Sequence, residues 1–331
     1  MRKLATIRRI DELLPIEGAD KIQLAIVGGW KVVAQKGLYE VGDLAVYFEI
    51  DSWMPFTLAP FLSKGKEPRV FEGIQGERLR TIKLRGQISQ GLLMPLDEAI
   101  PETTSFVEGD DVSEYLGIVK WEKPINAQLA GVCKGNFPTN IPKTDQERVQ
   151  NIKKELAAAQ GMDFEVTEKL EGSSMTVYRI NGEFGVCSRN MDLKESEGNS
   201  FWSVARRDDF ENKMSFSDNF AIQGELIGPG VQGNIYGRTN LEFYVFDIYD
   251  IKEGKYLNPT DRHDLVARMG MNHAPILDDF FVLNDNIEDL LKLAEGKSRL
   301  ADVEREGIVF KQNDGGLTFK AISNKYLLGE E

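Results

Sequence analysis

A lysine, an acidic residue and a glycine stand close together near the middle of this chain, in Lys169-Leu-Glu171-Gly172. β-Branched residues precede and follow them, and Gly172-Ser173-Ser174 supplies turn residues, so we predict strand, tight turn, strand, paired as a hairpin. An amine held between strands and flanked by carboxylates is a plausible nucleophile, because its neighbours can lower its pKa. Alone the pattern is weak, since a surface lysine beside a turn glycine also fits it.

Lys-x-Asp/Glu-Gly resembles the nucleophile motif of the covalent nucleotidyltransferases, which comprise DNA ligases, RNA ligases and mRNA capping enzymes. The later motifs of that family follow here in the family's order. They are Ser188-Arg189-Asn190, Glu225 in Gln-Gly-Glu-Leu, Phe246-Asp247, Glu306-Gly-Ile-Val309-Phe-Lys311, and Phe319-Lys320-Ala-Ile-Ser-Asn-Lys325. Each motif is commonplace by itself, but the ordered series is not, and it makes the resemblance strong.

The resemblance implies a role for each matching position. Lys169 is the expected nucleophile towards ATP, and Lys320 and Glu306 are the other expected catalytic residues. A bound Mg²⁺ or Mn²⁺ is expected on Glu171, Glu225 and Glu306. The expected nucleotide-binding residues are Arg148, Glu168, Lys169, Arg189, Glu225, Phe246, Val309, Lys311, Lys320 and Lys325. Glu171 stands where the family usually has Asp, so the preference between the two metals stays open.

The expected chemistry accounts for these residue types. Lys169 must react unprotonated, against a free pKa of about 10.4. We expect burial and the positive charges of Lys320, Lys325 and the bound metal to lower that value. The lysine–AMP then passes AMP to a 5′-phosphate, and a 3′-hydroxyl displaces the AMP and seals the strand.

The first 98 or so residues predict a small β-barrel. Five or six short runs are rich in β-branched and aliphatic residues, and Gly28-Gly29 marks a hairpin turn between two of them. The OB-fold is a common nucleic-acid-binding barrel of this kind. Alternation then predicts one cationic, hydrogen-bonding face with Lys83, Arg85, Gln87 and Ser89. Such a face can follow a phosphate backbone, although a solvated outer sheet face is an equal alternative.

The middle of the chain predicts a domain boundary. Residues 121–140 are irregular and rich in Pro and Gly, so we expect a barrel domain over 1–120, a linker over 121–140 and a second domain over 141–331. Thr144-Asp-Gln-Glu147 has the pattern of a capping box and predicts a helix running to about Gln160. Arg148 would then lie in its first turn, either for an anion or paired with Asp145.

The composition excludes several classes of protein. The chain has 331 residues, of which 41% are apolar and 28% charged, and no apolar run approaches a membrane span. Two cysteines and two histidines cannot make a zinc site of the usual spacing, and a reducing cytoplasmic setting follows. The net charge of −13 argues against a generally basic nucleic-acid binder. Residues 1–100 hold 14 Lys/Arg against 13 Asp/Glu, so nearly all the excess acid lies later in the chain. Any contact with nucleic acid must therefore use local basic patches.

We therefore predict an α+β protein in which an N-terminal OB-like β-barrel precedes a nucleotidyltransferase (ATP-grasp-like ligase) domain of antiparallel sheets with flanking helices. DNA ligases and capping enzymes place an OB domain after the fifth motif, so this order resembles the ATP-dependent RNA ligases. The expected partner is RNA, as ends or nicked duplexes, with RNA/DNA hybrids left open, no membrane, and a monomeric enzyme. A DNA or mixed nick ligase and a non-catalytic nucleic-acid-binding module are the alternatives.

Overall fold

The computed structural model describes residues 2–100, 106–123 and 130–329. These residues form two compact units. The first contains the residues up to Lys123, the short segment Val149–Lys153 and the chain from Leu327 onwards, and the second contains the described residues of Pro124–Arg148 and Lys154–Tyr326. Among the described helices, none combines the length and apolar character that crossing a membrane requires.

The first unit is built almost entirely from short antiparallel strands. They are β1 (Ala5–Arg9), β2 (Glu12–Pro15), β3 (Ile22–Val27), β4 (Trp30–Gln35), β5 (Leu44–Phe48), β6 (Ser52–Pro55), β7 (Arg69–Phe71), β8 (Ile74–Arg78), β9 (Thr81–Leu84), β10 (Gln87–Gln90), β11 (Leu92–Pro95) and β12 (Val119–Lys120). They pair in the orders β1-β5-β11, β2-β3-β4, β9-β10 and β12-β6-β8-β7. One short helix, α1 (Leu96–Ala99), follows β11. The sequence predicted about half of these strands.

Alternating apolar residues build the core of this unit. Ile7 on β1 and Val46 and Phe48 on β5 are fully buried in one hydrophobic cluster. The hairpin predicted at Gly28-Gly29 is confirmed, because Val27 on β3 pairs with Trp30 on β4. Gly28 has a φ of 61°, a left-handed conformation that glycine adopts without steric cost.

The predicted cationic face is wrong in its geometry. Strands β9 and β10 form a hairpin whose turn is Arg85-Gly86, with φ values of 48° and 82°. Lys83 pairs with Ile88 and therefore shares a face with it, whereas Ser89 lies on the other face, is buried, and accepts a hydrogen bond from the Val33 amide. Lys83 and Arg85 themselves are exposed.

The segment Val149–Lys153 packs in the first unit through Asn151. Its Oδ1 accepts hydrogen bonds from the Trp30 indole at 2.7 Å and from Arg8 at 3.0 Å, and its Nδ2 donates to Glu49 at 3.2 Å. The Gly29 amide donates to the carbonyl of Gln150. This short segment is thus tied to the barrel strands although it is distant from them in sequence.

The second unit contains two largely antiparallel sheets and short helices. Its strands are β13 (Val132–Asn136), β14 (Glu147–Arg148), β15 (Asp163–Lys169), β16 (Ser173–Ile180), β17 (Glu183–Cys187), β18 (Met191–Lys194), β19 (Phe220–Ile227), β20 (Glu242–Asp250), β21 (Lys255–Tyr256), β22 (Asn272–His273), β23 (Ile276–Val282), β24 (Gly307–Gln312) and β25 (Thr318–Ile322). Its helices are α3 (Ser200–Arg207), α4 (Phe210–Lys213), α5 (Pro259–Arg268) and α6 (Ile287–Ala294), together with α2 (Lys153–Ala159) from its second residue and α7 (Asn324–Gly329) as far as Tyr326. The larger sheet has the order β13-β18-β17-β16-β19-β20-β21, with β22 also on β20, and the smaller has the order β14-β25-β24-β15-β23.

The capping box predicted at Thr144–Glu147 is wrong. Glu147 and Arg148 instead form β14, which pairs in parallel with Phe319 and Lys320 on β25. The Thr144 hydroxyl lies 2.9 Å from that of Ser174 and caps no helix. The helix in this region, α2, begins only at Lys153. A pairing with residues far along the chain therefore overrides a local helix-start pattern.

Two apolar layers hold the sheets of the second unit in place. In the smaller sheet, Phe164, Phe310 and Phe319 are fully buried, and the rings of the last two stack with centroids 4.6 Å apart. Across the larger sheet, Phe201 and Trp202 of α3 pack into a cluster with the strand residues. These two sheets carry the motif residues Lys169, Glu225, Phe246 and Lys320.

Candidate active site

The Lys169 motif links the two sheets of the second unit. Lys169 ends β15, which pairs with β23 and β24, whereas β16 pairs with β17 and β19. The strand–turn–strand prediction is right and the hairpin pairing is wrong. Gly172 lets the turn approach β19, because a Cβ at this position would lie 2.4 Å from the carbonyl oxygen of Leu226. The lysine is thereby brought beside both sheets.

Lys169 forms an ion pair with Glu306. Its Nζ donates to Glu306 Oε1 at 2.7 Å. Burial alone would lower the pKa of Lys169, but the carboxylates of Glu306 and Glu225 outweigh it, and the pKa is raised overall. The sequence analysis expected a lowered pKa for Lys169 with a metal bound. The net effect of the protein groups alone is to raise it.

Glu225 lies on β19 opposite Ser174, facing the same charges. Burial, and to a lesser degree the charge of Glu306, raises the pKa of Glu225 to about 8, although Lys169 acts in the opposite sense. A carboxyl group in this state binds a proton at neutral pH unless another cation replaces it.

Glu171 is fixed by a residue that the sequence analysis missed. Its backbone N–H donates to the Tyr236 hydroxyl at 2.7 Å. Tyr236 is buried and comes from the loop after β19. No local pattern marks it, because a tyrosine in a Gly-rich loop acquires this role only through the fold.

The three motif carboxylates suit a hydrated divalent cation. In the described part of the chain, one group of His, Cys, Asp or Glu ligand atoms lies close together, that of Glu165, His263 and His273, within 4.8 Å of one another. Glu171, Glu225 and Glu306 are a separate set, which offers carboxylate oxygens alone. Hard oxygen donors with room for water are the environment that Mg²⁺ and Mn²⁺ favour. The raised pKa of Glu225 fits the same conclusion, since a cation relieves the cost of its buried charge.

A row of motif side chains crosses the smaller sheet. Arg148 pairs with Lys320, Lys320 with Val309, and Val309 with Thr167. Directly paired residues share a face, and Thr167 and Lys169 are two residues apart on one strand, so all five lie on the same face. The sheet thus brings together residues that the motifs scatter along the chain. Arg148 is buried here and lies in no helix.

Phe246 sits in a β-bulge of β20. The register shifts there, because Gln223 pairs with Asp247 and Gly224 with Val245, which leaves Phe246 without an opposing residue. The Lys311 ammonium is buried, donates to the Phe246 carbonyl, and lies 2.7 Å from Asp247. Bulges re-aim a side chain relative to its strand. Lys311 is therefore placed to hold the bulge.

Glu168 has one carboxylate oxygen that no described protein group satisfies. Its Oε2 accepts a hydrogen bond from the Arg299 amide at 2.8 Å, whereas the buried Oε1 has no hydrogen-bond partner among the described residues. A buried acceptor of this kind suits a ligand that carries a donor.

The two remaining motif cations have different surroundings. Arg189 pairs with Asp145 and contributes to the electrostatics of both Lys169 and Glu225. Asp145, the alternative partner predicted for Arg148, pairs with Arg189. Lys325 lies on α7, is largely exposed, and pairs with Glu295 at 3.0 Å. The structure therefore gathers Arg189 into the charged site and gives Lys325 a partner outside the motifs.

Comparisons with known proteins agree with this arrangement. The family described as RNA ligase matches residues 162–326, and an OB-fold domain family matches residues 4–96. No curated protein matched at the required significance.

Solved structures give a close match over almost the whole chain. A Naegleria gruberi RNA ligase mutant with ATP and Mn is 48% identical, with 99% of both chains covered and a TM-score of 0.94. Another mutant of that ligase with AMP and Mn gives 48%, 99% of both chains and 0.95. The same ligase with PPi gives 48%, 99% of this chain, 98% of that chain and 0.94. The predicted α+β fold, with its OB module first, is confirmed.

Proposed function

Because this chain belongs to the RNA ligase family and is an ATP-dependent RNA ligase, we propose that it seals nicks by carrying AMP on Lys169. The observation that supports this role is the Lys169–Glu306 pair at 2.7 Å, on the face that also carries Lys320. The product would be a 3′–5′ phosphodiester between a 3′-hydroxyl RNA end and a 5′-phosphate end.

The first step is attack by the unprotonated Lys169 amine on the α-phosphorus of ATP. A nitrogen–phosphorus bond forms, and the bond to the pyrophosphate leaving group breaks. Glu306 is within hydrogen-bonding distance to take the proton that Lys169 must lose. Lys320, Arg148 and Arg189 stabilise negative charge on the phosphates.

The chain uses ATP and a divalent cation, as the solved relatives with ATP and Mn support. Glu171, Glu225 and Glu306 would hold a hydrated Mn²⁺ or Mg²⁺. When bound, the ion supplies positive charge that favours the unprotonated amine and offsets charge on the α-phosphate. Glu225, whose pKa of about 8 lets it hold a proton at neutral pH, would give up that proton to bind the ion.

The nucleotide base is held between the two sheets' side chains. Phe246 would stack on the base and Val309 would pack on it from the smaller sheet, with Glu168 Oε1 accepting from a base amino group. A 5′-phosphate oxygen of the RNA would then attack the AMP phosphorus and break its bond to the Lys169 nitrogen. The 3′-hydroxyl oxygen would finally attack the phosphorus of that RNA 5′-phosphate and release AMP.

RNA is the substrate of the family. Lys83 and Arg85 on the first unit would contact its backbone, because both are exposed cations on one hairpin.

We further propose that the enzyme is active as a monomer, since all motif residues belong to one chain. A reducing, cytoplasmic setting fits the free thiols Cys133 and Cys187.

Two linked assays test the proposal. Incubation with α-labelled ATP and Mn²⁺ should label the protein through an acid-labile, alkali-stable bond. Nicked duplexes should then be sealed when the 3′-hydroxyl strand is RNA, and duplexes with ribose or deoxyribose on either side measure tolerance of DNA. A protein that never labels is a non-catalytic module, and equal sealing of all-DNA nicks points to a DNA ligase.

A further inference from the structure

A cluster of buried charges joins β15 and α5. Glu165 is on the same face of β15 as Lys169 and is fully buried, and Arg262 on α5 is 1% exposed. The Arg262 guanidinium pairs with one oxygen of Glu165, and His263 contacts the other. None of the motifs named in the sequence analysis includes these three residues.

This cluster does not suit a metal ion, although Glu165, His263 and His273 present ligand atoms close together. Arg262 Nε donates to His273 Nε2 at 3.0 Å, and His273 Nδ1 lies 2.6 Å from the Ala274 carbonyl. Both ring nitrogens of His273 are thus engaged, and a metal ligand needs a lone pair. Burial, reinforced by the charge of Arg262, lowers the pKa of His273 to about 3 and keeps it neutral. The positive charge that a metal ion would bring to this cluster is already supplied by the Arg262 guanidinium.

The same guanidinium reaches the strand that carries Phe246. Arg262 Nη1 lies 3.7 Å from Asp247, whose carboxylate also pairs with Lys311 at 2.7 Å. Lys311 in turn donates to the Phe246 carbonyl. Two cations and two carboxylates, Arg262 and Lys311 with Glu165 and Asp247, therefore form a balanced buried network around the bulge.

The opposite edge of the bulge is also fixed from this cluster. His273 on β22 pairs with Val245, and the Ala274 amide donates to the Val245 carbonyl at 2.8 Å. Arg262 holds the ring of this same His273. The residues on both sides of Phe246 are consequently tied to groups that Arg262 orients.

We propose that Arg262 is a positioning residue that fixes the bulge at Phe246 and so sets the pose of the ring against the nucleotide base. The inference rests on the proposed base-stacking role of Phe246. Arg262 acts through Asp247 and His273 and touches no reacting atom. Its loss should weaken ligands that contain the base and spare those that lack it.

The variants must separate positioning from folding. Arg262→Lys keeps the charge but loses the planar fork that reaches Glu165, His273 and Asp247 together. Glu165→Gln keeps the shape of its side chain while weakening its hold on Arg262, and it provides a second test should the lysine variant be unstable. Arg268→Lys, on the exposed face of the same helix, is the matched control.

The test compares dissociation constants for AMP, which carries the base, and pyrophosphate, which does not. We expect Arg262→Lys to weaken AMP by roughly fivefold or more, the lower bound for losing one base stack, and to leave pyrophosphate and the Arg268→Lys control unchanged. In a Phe246→Ala background, Arg262→Lys should weaken AMP no further. Equal weakening of both ligands, unchanged AMP binding, or an undiminished effect in the Phe246→Ala background would overturn the inference. The titrations use protein free of bound AMP, and because neither ligand reacts covalently, these outcomes test the inference separately from the proposed nucleophilic role of Lys169.

Discussion

Lys169 Nζ and Glu306 Oε1 lie 2.7 Å apart although 137 positions separate them in the chain. The pair brings the end of β15 and the start of β24 together at the junction of the two sheets. It joins the expected nucleophile to the group best placed to receive its proton, and the first two predictions concern this pair.

Lys169→Ala should abolish labelling by α-labelled ATP and the sealing of ordinary nicks, because it removes the proposed nucleophile. RNA that already carries AMP on its 5′ end bypasses this step, so its sealing should survive at least in part. Lys194→Ala, an exposed lysine on β18, is the control and should label normally. A covalent adduct on the Lys169→Ala protein would place the nucleophile elsewhere.

Glu306→Gln should slow lysine–AMP formation by at least ~10²-fold at neutral pH, by analogy with the loss of one transition-state group. After burial, Glu306 has the largest effect on the pKa of Lys169, and that effect is upward. The rise of the rate with pH, which reports the deprotonation of Lys169, should therefore move to lower pH in the variant. Single-turnover rates between pH 6 and 10 measure both effects, with the exposed Asp302→Asn as control. A profile shifted upward would contradict the ion pair.

Glu225 should make stability depend on pH in the absence of metal. Its pKa of about 8 in the folded state exceeds the ordinary value of 4.5, so the folded protein holds more protons between these values. Stability should therefore fall as pH rises from about 4.5 to about 8 and then level off. Melting temperatures measured across this pH range, with a chelator present to remove metal ions, test this. The Glu225→Gln variant should show a flatter dependence of Tm on pH than the unaltered protein.

The same proton makes metal binding pH-dependent. Mn²⁺ must displace it, so the rise in Tm on adding Mn²⁺ to the unaltered protein should be greater at pH 8 than at pH 6. If the Tm–pH curve of the Glu225→Gln variant, measured without metal, keeps the slope of the unaltered protein, groups other than Glu225 titrate in this range.

Phe246→Ala should weaken binding of ATP by ~1–3 kcal/mol, the value of one aromatic–base stack, and leave the maximal adenylylation rate much less affected. A KM and kcat measurement separates the two. Phe216, a 56% exposed phenylalanine, supplies the control substitution to alanine. Loss of the folded state in Phe246→Ala would instead assign this ring to the core.

Lys83→Ala combined with Arg85→Ala should reduce nick closure while sparing lysine–AMP formation, because both residues belong to the first unit and all the nucleotide motifs to the second. Each lost phosphate contact should flatten the salt dependence of RNA binding by roughly one unit of slope. Lys21→Ala with Lys36→Ala, two exposed lysines on the same unit, is the control pair. Equal loss of both rates would mean that the hairpin serves the nucleotide site.

The ordered motifs predicted the membership of the site better than its construction. Motif order named Lys169, Glu225 and Glu306 because their chemistry depends on residue type, which the sequence displays directly. It did not show that β15 and β16 belong to different sheets, or that Glu147 and Arg148 pair with Phe319 and Lys320. Those pairings are long-range, and a local turn or capping pattern carries no information about them.

The missed residues share one physical origin. Tyr236 and Arg262 are buried polar side chains whose roles arise from partners distant in sequence, such as the Glu171 amide and Glu165. A charged residue on a short amphipathic helix is normally expected in solvent. Only the fold reveals that Arg262 faces inward to a carboxylate.

The placement of Val149–Lys153 bears on how enzymes of this kind can exchange parts. A crossover that transfers only the first 123 residues between related genes would leave Asn151 facing a foreign Trp30, Arg8 and Glu49. Since the next residue upstream of this segment is Arg148, a mismatch would act directly beside the strand that pairs with Lys320. A viable hybrid needs the five-residue piece to travel with the barrel, or a junction placed after Lys153. The unit that must be inherited together therefore consists of two separate stretches of the gene, those encoding the first 123 residues and Val149–Lys153.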